Sequence, residues 1–425
     1  MTRTRSRVAA ASVIALAAAI GLSACGGSKA GDDTTSTSSE SCVDTSGDTV
    51  KLGLINSLTG AMAISETTVS SVLHMAADEI NADGGIMGKQ IELVQEDGAT
   101  DWPTFAEKTE KLITKDCVAA IFGGWTSSSR KAMKPVAEKY NSLLFYPVQY
   151  EGLEASKNIY YTGATTNQQI LPAMEFLKSK GVKTLFLAGS DYVFPRTANA
   201  IIKLYAEELG IEIVGEEYVP LDKDDWTTQV SKIVDAKPDF IFNTINGSSN
   251  VGFIKAYTDA GLTAETTPII SVSIAEEEAP NMGADVTGQY AAWNYFQSVQ
   301  SPANEKFIAD WVAYDGPSDV TSDPMEAAYD SMYLYKAMVE KAGSFDVDKI
   351  NAVSDGVSFD APEGTVVIDG ENHHISKPGL IGQINADNQF DIVWESDGPI
   401  EPDPFLEGYS WFPEATRDAL VAAAG

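Results

Sequence analysis

Hydroxyl, aromatic and acidic side chains are concentrated in five short segments that directly follow predicted strands. The segments are residues 123–129, 147–150, 190–194, 243–247 and 273–278. In an open parallel sheet, ligands bind beyond the carboxyl ends of the strands. These segments therefore hold the residues whose chemistry matters most.

The residue types in these segments indicate the binding of a small polar solute. Aromatic walls with a few fixed polar groups suit a neutral or weakly cationic solute. The serines at 127–129 would place hydroxyls and free N–H groups at a helix N-terminus, where they donate to a carbonyl or carboxylate. Asp191 and Glu277 would accept hydrogen bonds from solute N–H groups. The candidate ligand-binding residues are Trp125, Thr126, Ser127, Tyr146, Tyr150, Asp191, Tyr192, Phe194, Asn246, Glu277 and Trp293.

Each candidate also has a purely structural interpretation. The serines could form only a helix cap, and the glutamates at 276–278 could begin a solvated helix. Tyr150, Tyr192 and Trp293 could be core aromatics. Their joint position at strand ends is what favours a pocket.

Sequence patterns typical of catalysis do not occur. The chain has no HExxH, GxSxG, CxxC or P-loop pattern. His74 falls on a predicted helix, whereas His373 and His374 are adjacent and would point to opposite faces of a strand. We therefore expect no enzyme activity, no metal and no cofactor.

Length and charge limit the possible partners. A chain of 425 residues is too long for one hydrophobic core, so two lobes are expected. With 29 basic and 61 acidic residues, its formal charge is −32. Such a charge repels phosphate backbones, so we expect no nucleic-acid partner.

The N-terminus has the pattern of a bacterial lipoprotein signal. Three arginines precede an apolar run at residues 8–22, which is short for a membrane span. The following Leu-Ser-Ala-Cys resembles a lipobox, so residues 1–24 are a predicted signal peptide and Cys25 a predicted lipid anchor. Polar residues 25–48 would form a flexible tether. The predicted location is the extracytoplasmic face of the cell membrane; the alternative is an ordinary signal peptide with an incidental cysteine.

Two further cysteines remain besides Cys25. In an oxidising compartment an even number of cysteines favours a disulfide. Cys42 and Cys117 each lie shortly before a predicted strand, at 50–56 and 118–124, and these strands should be neighbours. A disulfide would attach the tether to the folded body. Two unpaired thiols are the alternative.

Strands and helices alternate from residue 49 in two successive series. This rhythm predicts an α/β fold with two Rossmann-like lobes, each built on a parallel sheet. Residues 358–396 instead indicate meandering strands with turn signals between them.

Longer stretches resemble a known family. ADEINADGGIMGKQIELV resembles the opening of type I periplasmic-binding folds. FYPVQYEGLE, NIYYTGATTNQQ, GSDYVFPRTAN, SVSIAEEE, SDPMEAAY, FDAPEGTVVIDGENHH and QFDIVWESDGPIEPDPF resemble the substrate-binding lipoproteins of urea ABC transporters, with the amide sensor of amidase operons as a close relative. The resemblance covers nearly all of residues 49–413.

The resemblance implies a hinge of three strands between lobes that close on a ligand. Lobe 1 would comprise residues 49–163 and about 294–355, and lobe 2 residues 164–293 and about 356–425. The implied function is to deliver urea to ABC permease subunits in the membrane.

The same resemblance implies roles for individual residues. Ser127 and Tyr146 correspond to amide-contacting positions, and Tyr192 and Phe194 to aromatic contacts. Phe194 and Trp125 each replace a Tyr of the amide sensor, which favours urea over acetamide. Receptors or sensors for short-chain amides or branched-chain amino acids, built on the same fold, are the alternatives.

Overall fold

A computed structural model describes residues 41–314, 316 and 318–424. The predicted signal peptide, Cys25 and the tether up to residue 40 lie outside the described residues. Among the described residues, no helix is both long enough and apolar enough to cross a bilayer.

The chain first forms five strands and three helices. They are β1 (Thr49–Asn56), α1 (Ala63–Ala82), β2 (Gln90–Asp97), α2 (Trp102–Thr114), β3 (Ile121–Gly123), α3 (Ser127–Lys139), β4 (Leu144–Tyr146) and β5 (Ile159–Tyr161). These strands make a wholly parallel sheet in the order β2-β1-β3-β4-β5. The predicted first α/β series is confirmed.

The second series follows without interruption. It comprises α4 (Thr166–Ser179), β6 (Thr184–Ser190), α5 (Val193–Leu209), β7 (Glu212–Val219), α6 (Thr227–Ala236), β8 (Phe240–Thr244), α7 (Ser249–Asp259), β9 (Ile269–Ser271) and β10 (Tyr290–Trp293). The rest of the chain forms α8 (Pro302–Tyr314), α9 (Asp323–Ala342), α10 (Val347–Asn351), β11 (Ser358–Ala361), β12 (Gly364–Val367), β13 (Leu380–Ile384), β14 (Phe390–Glu395) and α11 (Glu414–Ala424).

The second sheet has seven strands in the order β14-β13-β10-β9-β8-β6-β7. Strands β6 to β10 pair in parallel, as predicted, whereas β13 pairs antiparallel to both β10 and β14. The sheet is therefore mixed rather than purely parallel, because the meandering strands join its edge. Each sheet has its own buried apolar side chains, and together they give the expected two-lobed α/β fold.

Three segments cross between the lobes, after β5, after β10 and before β13. The Asn294 side chain donates to the carbonyls of Gln168 (3.0 Å) and Pro378 (2.5 Å), which lie on the other two crossings. The β11–β12 hairpin contacts α9, and α9 packs on α1 of the first lobe. We therefore propose that the third crossing follows β12, somewhat later than residue 356.

Cys42 and Cys117 form a disulfide with 5.3 Å between their Cα atoms. As expected, β1 and β3 are neighbours, so the two cysteines reach the same edge of the first sheet. The bridge fastens the segment before β1 to the turn after α2.

Candidate functional site

The first-lobe wall of the site is built at the junction of β3 and α3. Gly123 has a φ of 124°, and a Cβ there would come within 2.2 Å of the Ile55 carbonyl oxygen, so only glycine fits. Thr126 is the N-cap of α3, and its hydroxyl accepts from the Ser129 N–H at 3.1 Å. Trp125, which directly precedes Thr126 in the sequence, is buried. Its Nε1 has no hydrogen-bond partner among the described residues.

A fully buried arginine organises the side chains behind this wall. Arg130 Nε donates to Glu154 at 2.8 Å, its Nη2 to Glu151 at 3.1 Å and its Nη1 to the Ser127 hydroxyl at 3.2 Å. Its guanidinium carbon lies 4.9 Å from the ring centroid of Tyr146 and 4.3 Å from that of Tyr150. We call these six residues the Arg130 cluster.

Charge pairing makes the Arg130 cluster strongly ionic. Burial alone would raise the pKa of Glu154, but Arg130 and Lys131 outweigh it and lower that pKa to about 2. Glu154 and Glu151 therefore neutralise the guanidinium, and the cluster offers no uncompensated positive charge.

The hydroxyls of the predicted first-lobe contacts are used within the lobe. Ser127 donates to Glu151 Oε2 at 2.5 Å, and the Tyr146 hydroxyl donates to the Trp125 carbonyl. The Tyr150 hydroxyl lies 2.9 Å from the Glu154 carbonyl and 2.5 Å from His374 Nε2. In the first turn of α3 the Ser129 N–H is capped by Thr126, and the N–H groups of Ser127 and Ser128 are the donors that the helix leaves without intrahelical partners.

Tyr192, Phe194 and Asn246 lie at the corresponding strand ends of the second lobe. Helix α5 begins at Val193, so Tyr192 is its N-cap. Burial raises the pKa of the Tyr192 hydroxyl well above its ordinary value, and the nearby Tyr146 phenol and Glu151 carboxylate add to the rise. Helix α5 contacts helix α3, which carries Ser127 and Arg130, so the two lobes meet beside the Arg130 cluster.

Two predicted residues are not part of this group. Asp191 has a side chain 40% exposed and forms an ion pair with Arg196 at 2.6 Å on the surface. Trp293 belongs to the second-lobe core, where its Nε1 donates to the Ile274 carbonyl at 2.9 Å. Both residues do lie at the ends of strands, as predicted. Because successive side chains along a strand point to opposite faces, a position at a strand end does not by itself direct a side chain into the site.

The glutamates at 276–278 are all buried, contrary to the solvated-helix interpretation. Glu276 accepts from the Gln297 N–H at 2.7 Å, and Glu278 accepts from the Ser65 hydroxyl at the start of α1, in the other lobe. Both oxygens of Glu277 have no hydrogen-bond partner among the described residues. Burial raises the pKa of Glu277 to about 7 and that of Glu278 to about 8.

Direct contacts join the lobes at the same strand ends. Gln149 Nε2 donates to the Val272 carbonyl at 2.8 Å, and the Ser248 N–H donates to the Ala61 carbonyl at 3.1 Å. A Cβ on Gly247 would come within 2.6 Å of that same carbonyl oxygen. The lobes are therefore closed on each other around the site.

A separate group of three buried carboxylates has the spacing of a metal site. Oxygens of Glu326, Asp330 and Glu363 lie within 4.8 Å of one another. However, the Lys377 ammonium lies 2.9 Å from Glu363 and 3.8 Å from Glu326, and it donates to the Thr162 carbonyl at 3.2 Å. Lys377 thus connects the third crossing to the first crossing, to α9 and to the β11–β12 hairpin, so this group supports the hinge.

The site also contains four residues that the sequence did not predict, namely Arg130, Glu151, Glu154 and Gln149. Arg130 follows Ser127 by three residues on a predicted helix, and this spacing puts both side chains on one face. That signal could have identified Arg130, whereas the partners on the loop after Tyr150 have no comparable periodic signal.

Comparison with known proteins gives the family. The family model described as "Periplasmic binding protein domain" matches residues 50–410. The chain belongs to this family. Leu/Ile/Val-binding protein homolog 6 of Brucella melitensis is 26% identical over 338 residues, which cover 78% of this chain and 86% of that protein. The chain is thus a solute-binding protein of the ABC-transporter type, and its family implies an extracytoplasmic location.

Solved structures agree with the fold. A solute-binding protein of an ABC transporter from R. palustris, in complex with 4-hydroxybenzoate, superposes with a TM-score of 0.75 at 26% identity. The match covers 82% of this chain and 97% of that one. Limonene hydroxylase of Geobacillus stearothermophilus is 34% identical over 119 residues, which cover only 28% of this chain and 22% of the hydroxylase.

Proposed function

We propose that this chain captures urea, or an amide of similar size, between its two lobes and delivers it to ABC permease subunits. A lipid on Cys25 would hold it at the outer face of the membrane. The observation that carries the proposal is the unpartnered Glu277 carboxylate, buried where the segment 276–278 meets the first lobe. Urea carries four N–H bonds on a small planar frame, and such acceptors suit it.

The charge balance of the site supports an uncharged solute over a carboxylate. An amino acid or aromatic acid brings a carboxylate that needs a cation or several free donors. Arg130 already pairs with two glutamates, and the Ser127 hydroxyl donates to one of them. Other buried ionisable side chains around the site, among them Glu66, Glu277 and Glu278, are acids rather than bases.

The family comparison favours one second candidate. The Brucella relative is named for leucine, isoleucine and valine, so a branched-chain amino acid is the alternative ligand. Its carboxylate would depend on the N–H groups at the start of α3.

Calorimetric titration of one purified sample with urea, acetamide, formamide, leucine and 4-hydroxybenzoate separates these candidates. We expect saturable heat with urea or a short amide and none with the two acids. Small-angle scattering should show the body contracting as the ligand is added. Binding of leucine alone would reject the proposal in favour of the amino-acid receptor.

A further inference from the structure

Glu277 is a buried carboxylate without a counter-charge. Glu277 is only 5% exposed. Neither of its carboxylate oxygens has a hydrogen-bond partner among the described residues. Ser322 at the start of α9 lies nearby but outside hydrogen-bonding geometry, and Asp323 and Glu278 are the acids beside Glu277. None of these three is a base, so they supply no positive charge.

The buried cations near this part of the fold are already matched by acids. Arg130 pairs with Glu151 and Glu154, and Lys377 lies 2.9 Å from Glu363. A buried carboxylate left unpaired in a low-dielectric environment is costly. A neutral solute offers Glu277 hydrogen bonds only, whereas a cationic one also offers the missing charge.

We propose that this site binds a small planar cation of the guanidinium or amidinium class, with Glu277 as the residue that accepts its N–H groups. The inference rests on the proposed function, because it assumes the same enclosed site for a small N–H-rich solute. Guanidinium has nearly the shape of urea, with a third nitrogen in place of the oxygen.

The chemistry of the cation matches the site. Guanidinium presents pairs of parallel N–H bonds that fit a carboxylate in a bidentate manner, and charge-assisted hydrogen bonds are roughly twice as strong as neutral ones. Tyr192 and Phe194 follow β6 of the same sheet and Trp125 follows β3 of the other lobe, and aromatic faces attract such cations.

The test compares two pairs of ligands that differ mainly in charge. Urea is paired with guanidinium chloride, and acetamide with acetamidinium chloride, each titrated by calorimetry at pH 8 and constant ionic strength. We expect each cation to bind about tenfold more tightly than its neutral partner. The variant Glu277→Gln, which keeps the shape and one acceptor but removes the charge, should abolish this preference. The matched control Asp191→Asn, at the exposed ion pair with Arg196, should leave the preference intact.

The pH dependence of the unmodified protein gives a second readout. Because the Glu277 pKa is about 7, guanidinium affinity should rise several-fold from pH 6 to pH 8, and it should rise more steeply than urea affinity. Glu276, Glu278 and Asp323 face the same region and have raised pKa values, so their ionisation acts in the same direction.

The outcomes are distinct. If urea binds but guanidinium binds no more tightly, the inference is wrong and the proposed function stands. If none of the four solutes binds, both are wrong. A cation preference that survives in Glu277→Gln removes Glu277 as the acceptor and overturns the inference as stated.

Discussion

Arg130 shows how one buried side chain can determine the shape of a binding wall. Its guanidinium contacts Ser127, Glu151 and Glu154 and stacks against two tyrosine rings, so five neighbours depend on its charge and planarity. The helix, the loop after β4 and the aromatic residues are fixed to one another through this group. The wall is therefore preorganised rather than shaped by the ligand.

We expect Arg130→Met to be strongly destabilising. The substitution leaves Glu151 and Glu154 buried without a partner, and breaking a buried ion pair on one side costs about 3–5 kcal/mol. Thermal unfolding followed by calorimetry measures the loss without adding urea or guanidinium, both of which are candidate ligands.

The neighbouring Lys131 provides the control. Lys131 Nζ lies 3.2 Å from Glu154 but is partly exposed, so Lys131→Met should cost at most about 1 kcal/mol. Equal losses in the two variants would contradict a central role for Arg130.

At the scale of elements, a few long-range links hold the strand-end segments in place. The disulfide fastens the start of β1, and Asn294 connects the three crossings. Across the mouth of the site, Trp102 at the start of α2 lies 6.5 Å, between ring centroids, from Tyr192 at the start of α5. Each link joins elements far apart in the sequence.

Removing the disulfide should destabilise the folded body. The bridge closes a loop with a sequence separation of 75 residues, and a loop of that length is worth about 4 kcal/mol in the chain-entropy description. We expect the double variant Cys42→Ala, Cys117→Ala to melt at a lower temperature than the oxidised protein and at nearly the same temperature as reductant-treated protein. A double variant as stable as the oxidised protein would exclude this contribution.

The Trp102–Tyr192 contact should favour the closed state. Trp102 is 37% exposed, so its removal creates no core cavity, and an aromatic pair contributes about 0.5–1.5 kcal/mol. Trp102→Ala should therefore weaken ligand affinity between about twofold and tenfold, measured by calorimetry. Trp394→Ala, on edge strand β14 of the second lobe, is the control and should leave the affinity unchanged.

At the scale of the whole molecule, buried acids dominate the response to pH. Burial raises the pKa of Glu66 and Glu278 to about 8 and of Glu277 and Glu326 to about 7. Burial lowers the pKa of His373 to about 4 and of His374 to about 3. The histidines make the protein more stable as the pH rises from about 3 to about 6.5, while the carboxyls act in the opposite direction.

We expect the free energy of unfolding to fall as the pH rises from about 6.5 to about 8. In this window the native carboxyls hold protons that the unfolded chain has released, whereas the histidines are neutral in both states. Melting temperatures recorded without ligand across pH 6–9 test this. Glu66→Gln should flatten part of the slope, and a melting temperature that rises through the window would contradict the assignment.

The sequence determined much of the architecture before any contact was known. Alternating apolar strands and amphipathic helices predict two α/β lobes, because period-2 and period-3.6 patterns are local properties. The pairing of Cys42 with Cys117 also follows from the expected strand order, and the disulfide is present.

Only the tertiary structure decided which of the candidate side chains meet. Asp191 and Glu277 are both acids after strands, yet one lies in a surface ion pair and the other is buried without a partner. The difference comes from contacts such as Ser65 with Glu278, separated by 213 positions. Burial, pKa and the direction of a side chain depend on such distant neighbours, and a one-dimensional pattern does not contain them.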